Sequence, residues 1–295
     1  MDDKKRTDPD WQDIRVFLAL GRYGSLSAAA RALGTNHSTI SRRLHSLETT
    51  LGEKLMERRP QGYVLTPAGT HALAAAGEME TAVQTLGRGQ RDGTPRGLVR
   101  VNAPPALAQG FLTLPLAQVP LHYPGLDIDL ASDLRPVSLE RHVTDITVRL
   151  DAPQDGDFIA RPLGRMAFGF YGTAEHCQRV AAGELPPLVG FGEATAFLPE
   201  ALWLARTFPQ ARAAFRANNQ LAQAAAASTG VGIALLPHYL GRVTPGLQHC
   251  PLGPVHPPRS IFLLTRRQDR QDLPICTVAD SLLRIFDEAR ALFEA

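Results

Sequence analysis

The sequence predicts a multidomain chain in which a small all-α domain with a hairpin wing leads through a long linker helix into a larger α/β domain. Apolar residues in residues 10–51 recur at helical spacing between caps and glycines. The stretch GRGQRDGTPRG, Gly87 to Gly97, then breaks the pattern with glycine, proline and charge, as a hinge does. Beyond it, the strand-like runs LVRVNA, LDIDLA and DITVRL alternate with helix-like segments around ALAQGFLTLPLAQVPLHY and VSLERHV, the pattern of parallel β/α units.

At 295 residues, 44% hydrophobic and 20% charged, the chain is long enough for two or three soluble domains. A net charge of +2 is too mild for nucleic-acid binding over the whole surface, so a basic module has to be sought locally. The N-terminal MDDKKRTDPDWQ has no apolar core of a signal peptide, and no segment approaches the length needed to cross a bilayer. The expectation is a cytoplasmic protein with no membrane partner. Cys177, Cys250 and Cys276 are odd in number and widely separated, which reads as free thiols packed as small hydrophobes.

Trp11, Ile14, Phe17 and Leu18 mark a first helix closed by Gly24. SLSAAARAL is a second, started by Ser25 and stopped at Gly34; its alanines favour helix and admit a neighbouring backbone. Asn36 caps a third helix that runs to about Leu51 and ends at Gly52. Within it Ile40, Leu44, Leu47 and Leu51 fall on one stripe at roughly 100° per residue, and Ser38, Arg42, His45 and Thr49 fall on the opposite side. KLMERR and YVLT, joined by Pro60, Gln61 and Gly62, form a hairpin wing. Thr66 caps a long helix with Pro67 at its first position. Along that helix Ala72, Ala76, Met79, Val83 and Leu86 make a narrow coiled-coil-like seam, a candidate dimerisation face. Strand-like and helical segments continue through MAFGFYG, PPLVGF, RAAFRA, QLAQAAAAS, VGIALLP and RSIFLLT to a final amphipathic helix from Pro274 to Phe293.

A helix, a tight turn and a second helix with a polar outer face fit a helix-turn-helix, whose second helix enters the major groove of double-stranded DNA. Ser38, Thr39, Arg42 and His45 could reach base edges, since hydroxyls pair with donors or acceptors and arginine forks onto guanine. Amides near Asn36, His37 and Ser38 would meet a phosphate, with Ser27, Ser41 and Arg43 as further DNA contacts. Lys54, Arg58 and Arg59 place positive charge on the wing. Taken alone, Ser38 to Thr49 would read first as a solvated amphipathic helix. The succession of cap, turn, basic wing and seam separates the two readings.

The stretch FLALGRYGSLSAAARALGTNHSTISRRLHSLETTLGEKLMERRPQGYVLTPAG closely resembles the winged helix-turn-helix signature of the LysR-type transcriptional regulators. Further along, RGLVRVNAPPAL, HYPGLDIDL, DITVRL, FRANN and GVGIALLPHYL resemble that family's effector domain. Met56 stands where the family usually has phenylalanine, a swap that preserves packing. His37 and Ser38 stand where glutamine and a small residue or proline are common, so the base preference of relatives does not carry over.

The resemblance implies a winged helix-turn-helix domain over 8–66, a linker and dimerisation helix over 67–96, and a regulatory domain over 97–295 that folds like a type 2 periplasmic binding protein. Its subdomain I would take about 97–161 and 266–295, and subdomain II about 162–265. Open α/β sheets bind ligands beyond the carboxyl ends of their strands. The candidates there are Pro105 and Ala106, Ser132, Arg149, and Asn218 with Asn219, around a small organic acid. The family's usual serine or threonine near Ala106 is absent from APPALAQ, which leaves backbone donors at that point. Each candidate also has a plain structural reading: a cap for the asparagines, a surface ion pair for Arg149, a turn for the prolines.

No enzyme, metal or cofactor motif is complete. GFGEAT lacks the full dinucleotide fingerprint and the lysine and hydroxyl of a phosphate loop, there is no G-x-S-x-G elbow, and the histidines, among them His71, His122 and His142, lack ligand spacing. The sequence therefore reads as a LysR-type regulator, not an enzyme, that binds an interrupted inverted repeat as a dimer or tetramer, responds to a small effector and acts on RNA polymerase through DNA bending. Two other readings stand beside it: a solute-binding or enzymatic domain that keeps its winged helix for protein contacts, and an effector-independent regulator.

Overall fold

The computed structural model describes residues 8–60, 62–86, 93–132, 144–151 and 157–294. They form two compact units, with the division after the long helix. VSLERHV, most of the glycine-rich hinge, Gln61 of the wing turn and His142 lie outside the described residues.

The first unit opens with α1 (Trp11–Tyr23), α2 (Leu26–Ala32) and α3 (His37–Leu51). Asp10 and Ser25 cap the first two through their side-chain oxygens, which accept from Gln12 N at 2.7 Å and Ala28 N at 3.2 Å. Asn36 caps α3, its Oδ1 accepting from Thr39 N at 2.8 Å. Gly52 ends α3 with φ 74°, a left-handed conformation that glycine adopts without a Cβ penalty. Phe17, Leu20, Ile40, Leu47 and Leu55 are fully buried in the core between these helices, each contributing about 1.5–3 kcal/mol. Leu51 departs from the expected stripe: it is 44% exposed, because the last turn of α3 runs past the core.

The wing is an antiparallel pair, β1 (Met56–Arg59) and β2 (Gly62–Leu65). Thr66 then starts α4 (Pro67–Leu86), its Oγ1 accepting from Gly69 N at 2.9 Å. Gly69 is required by close approach, since a Cβ there would collide with the Leu55 carbonyl.

The second unit carries two five-stranded sheets. The first has the order β4-β3-β5-β12-β6, built from β3 (Gly97–Ala103), β4 (Leu126–Ser132), β5 (Ile146–Leu150), β6 (Phe158–Met166) and β12 (Arg259–Arg266). The second has the order β11-β7-β10-β8-β9, from β7 (Phe168–Gly172), β8 (Leu188–Phe191), β9 (Ala213–Ala217), β10 (Ile233–Pro237) and β11 (Gln248–Cys250). Helices α5 (Pro105–Leu107) and α6 (Thr113–His122), joined by the π-turn Ala108–Leu112, connect β3 to β4. In the second subdomain α7 (Ala174–Ala181), α8 (Pro199–Thr207), α9 (Gln220–Ser228) and α10 (His238–Val243) alternate with the strands. The chain closes with α11 (Leu273–Glu288) and α12 (Arg290–Phe293), so the expected final helix is broken at Ala289.

Only part of each sheet is parallel. β3 runs parallel to β4 and β5, whereas β12 is antiparallel to β5 and β6, and β7 is antiparallel to β10 and β11. β6 and β12 lie whole within the first sheet. The crossings between subdomains therefore fall at Met166–Phe168 and between Cys250 and Arg259, displaced from the expected divisions at 161/162 and 265/266. Phe111 of the π-turn joins the subdomains by packing on Tyr239 of α10 at 6.1 Å and on Phe286 and Phe293 at 5.2 and 4.8 Å.

The free-thiol expectation fails for two of the three cysteines. Cys177 on α7 and Cys250 on β11 form a disulfide, with Cα atoms 4.6 Å apart, and Cys276 alone is free. Their 73-residue separation hid the pairing, which depends on β11 lying beside β7, the strand that leads into α7. Among the described residues no helix is long and apolar enough to cross a membrane.

Candidate nucleic-acid interface and effector cleft

On α3 the side chains of His37, Ser38, Ser41, Arg42 and His45 are exposed, Thr39 is half-buried, and Ile40, Leu44 and Leu47 hold the opposite side in the core. Ser38 Oγ donates to Asn36 Oδ1 at 2.7 Å, so the cap oxygen serves a hydroxyl as well as an amide. Among the described residues no acidic group pairs with Arg42 or Arg58, leaving both guanidiniums open to an anion. Ser27, on α2, is half-buried.

Three of the expected DNA contacts are engaged inside the domain. Arg43 donates to the buried Asp13 of α1 at 2.8 Å, with Asp10 at 3.6 Å, so it ties α3 to α1. Lys54 pairs with Glu48 at 2.6 Å, and Arg59 pairs with the exposed Glu57 at 3.2 Å. Of the expected cationic contacts, Arg42 and Arg58 are the two with no acidic partner among the described residues.

Glu48 is a residue that supports this face and that the sequence reading missed. It is buried at the end of α3, where Oε1 accepts from Leu55 N at 3.0 Å and Met56 N at 3.3 Å, fixing the wing to the reading helix. One signal was available: Glu48 falls four residues after Leu44, next to the apolar stripe, and a carboxylate there needs partners. Glu48→Ala strands two buried amides and is expected to destabilise the first unit by about 2–4 kcal/mol. Amide hydrogen exchange at Leu55 and Met56 should accelerate accordingly; unchanged protection would contradict this role.

The seam of α4 divides in two. Ala76 is buried in the winged-helix core and Ala72 packs against it, with Leu73 lying over Gly21. Met79 and Val83 are 45% and 42% exposed. The helix continues through Leu86. Arg22 of α1 pairs with Glu80 and anchors the middle of α4.

In the regulatory unit Pro105 and Ala106 form α5 directly after β3, half-buried. Ala103 is paired with Ser132 in the sheet, and Gln109 Nε2 reaches Ser132 Oγ at 3.4 Å, which brings these expected effector residues together. Arg149 is half-buried on β5. Asn218 and Asn219 lie on the other sheet, after β9. Asn219 Oδ1 caps α9, accepting from Ala222 N at 2.8 Å, so its oxygen is committed to structure, while Asn218 is exposed. Behind them the fully buried Gln223 donates to Gly190 O and Ala217 O, both at 3.2 Å, fixing the ends of β8 and β9.

Two further groups escaped sequence reading. Arg259, at the start of β12, donates to Glu200 of α8 at 2.6 Å and to Asp151 after β5 at 2.7 and 3.1 Å, so one guanidinium holds both subdomains. In the second subdomain the Tyr171 hydroxyl and Nδ1 of His238 share a hydrogen bond at 2.7 Å, with His249 and Arg242 beside them. Burial, then Arg242, then His249 push the His238 pKa down to about 4 from 6.5. An unfolded imidazole takes its proton below about 6.5 and this one only below about 4, so between those values the unfolded state binds more protons. Stability is therefore full above pH 6.5 and falls as the pH drops towards 4, by up to ~3 kcal/mol. Urea denaturation across that window should show the fall in native protein and a flatter profile in His238→Gln.

With this architecture in view, the class is that of a DNA-binding regulator, a winged helix-turn-helix followed by a two-subdomain α/β ligand domain. Residues 11–70 match the family described as bacterial regulatory helix-turn-helix protein, lysR family, and residues 92–287 match the LysR substrate binding domain. The chain belongs to the LysR family of transcriptional regulators. It is 29% identical over 269 residues to the Mau operon transcriptional activator of Paracoccus denitrificans, covering 89% of this chain and 92% of that one. It is 26% identical over 297 residues to the HTH-type transcriptional activator AaeR of Escherichia coli, covering 95% of each. Among solved structures, a full-length OxyR variant from Pseudomonas aeruginosa superposes with TM-score 0.67 at 18% identity, covering 94% of both chains. The full-length virulence activator AphB of Vibrio cholerae superposes with TM-score 0.59 at 18% identity, over 93% of this chain and 99% of that one. These structures share the fold.

Proposed function

We propose that this regulator acts in the cytoplasm and binds an interrupted inverted repeat as a dimer or tetramer, one α3 helix per half-site, under the control of a small organic acid held between its subdomains. The observation that carries the DNA geometry is the exposed polar face of α3 with the unpaired guanidinium of Arg42 at its centre, backed by a buried stripe that fixes the helix. Met79 and Val83, exposed on the distal half of α4, support pairing of that helix with a second copy. The effector reading rests on Ser132 beside Pro105–Ala106, on Arg149, and on Asn218 at the head of α9, with Arg149 as the cation for a carboxylate. Cleft closure would alter the spacing of paired reading heads, bend the DNA differently and so reach RNA polymerase.

The test is sequencing of genomic fragments retained by the purified protein. An interrupted inverted repeat should emerge, with affinity that falls steeply as salt rises. Recovery of random fragments, or affinity indifferent to salt, would refute the reading. A panel of aromatic and aliphatic carboxylates should contain one that raises the melting temperature of the chain and changes its operator complex.

A further inference from the structure

Between the two crossing segments of the regulatory unit lies a cavity of about 270 Å³ that shares no residue with the effector candidates. Phe168 and Phe170 of β7, Leu235 of β10 and Leu252 of the second crossing give it apolar walls, and its polar groups include the imidazoles of His249 and His256. A dry cavity of about 150 Å³ admits benzene, so this one has room for a ring with a substituent.

His256 is the informative residue. It is only 5% exposed, its ring packs against Phe168 at 4.7 Å and Trp203 at 5.2 Å, and its Nδ1 is buried with no hydrogen-bond partner. A buried polar atom left without a partner costs free energy that a ligand can restore. Burial keeps both imidazoles below their usual pKa, so they are neutral at physiological pH. Nearby, Arg259 is held by Glu200 and Asp151, and Arg242 donates to the neutral carbonyls of Ala291 and Leu292. An anion entering here would lose its hydration, and no lysine or arginine is among the residues that line the cavity.

We propose that this cavity is a second ligand site, separate from the inter-subdomain cleft, that takes a neutral hydroxylated aromatic ring of the phenol class, with the hydroxyl bonded to His256 Nδ1. Apolar walls take the ring and one imidazole reads the hydroxyl. The ligand would lie against both subdomain crossings.

Trp203 supplies the readout. The chain has two tryptophans, so Trp11→Phe leaves Trp203, beside His256, as the one emitter. Titration of that full-length variant with phenol should change its emission saturably, and toluene, which lacks the hydroxyl, should bind at least ~10-fold more weakly. Adding His256→Phe, which keeps a ring against Phe168 and Trp203, should reduce phenol to the affinity of toluene. Absence of a saturable phenol signal, toluene as tight as phenol, or unaltered phenol affinity in His256→Phe each overturns the proposal. Should His256→Phe fail to fold, the comparison of phenol with toluene on Trp11→Phe alone decides. All these outcomes are independent of DNA binding.

Discussion

Replacing Arg42 with alanine is expected to lower affinity for the preferred operator by ~5- to 150-fold at constant salt, the cost of about 1–3 kcal/mol for losing the forked base contact proposed for it. Arg42 is exposed and pairs with no acidic group among the described residues, so the loss falls on binding and the melting temperature should hardly move. Arg43→Ala separates the two roles of the adjacent arginines. It leaves Asp13 buried at the α1 contact without the guanidinium at 2.8 Å, and the first effect expected is a less stable domain. Fluorescence anisotropy on an operator duplex, beside thermal melts of both variants, measures this. If Arg42→Ala bound like the parent while Arg43→Ala bound weakly with its stability intact, the assignment of the reading face would be inverted.

Asp145→Ala is expected to destabilise the regulatory unit by about 3–5 kcal/mol, the scale for breaking a buried ion pair from one side. Asp145 is fully buried; its Oδ1 accepts from Arg266 at 3.1 Å and its Oδ2 from the amide of Arg100 at 2.8 Å. Without it, the buried guanidinium of Arg266 retains Asp269 and the Thr144 carbonyl but loses its partner across the sheet, and the Arg100 amide loses this acceptor. Asp145→Asn, which keeps an oxygen for the amide, should lose less. Urea denaturation of the full chain reads the difference, and a midpoint within error of the parent would show that the pair contributes nothing net.

Local chemistry was legible. The cap at Asn36, the stop at Gly52, the wing around Pro60 and Gly62, and the start of α4 at Thr66 and Pro67 each depend on residues a few positions apart, and the spacing of Ile40, Leu44 and Leu47 states which side of α3 is buried. Leu51 misled because period alone does not reveal where the core ends. β6 was invisible: FIARPLGRM has no clean alternation, and Pro162 is tolerated because the strand lies at the edge of its sheet. For the site, the exposed residues of α3 could be read from the helical wheel, but the ion pairs that occupy Arg43 and Lys54 could not, because their partners are chosen by packing. The Cys177–Cys250 bond, the Arg259 cluster and the orphaned Nδ1 of His256 join residues dozens of positions apart, beyond any local pattern.

The position of Arg259 bears on how the regulatory domain can move. Two polypeptide crossings would by themselves let the lobes swing about a loose pair of strings. A guanidinium that grips Asp151 on one lobe and Glu200 on the other adds a fulcrum. Asp151 is open to water and can let go at little cost, whereas an excursion that pulls Glu200 from Arg259 leaves a buried carboxylate unmatched. Movements of the lobes that keep Glu200 on Arg259 should therefore be favoured over those that part them.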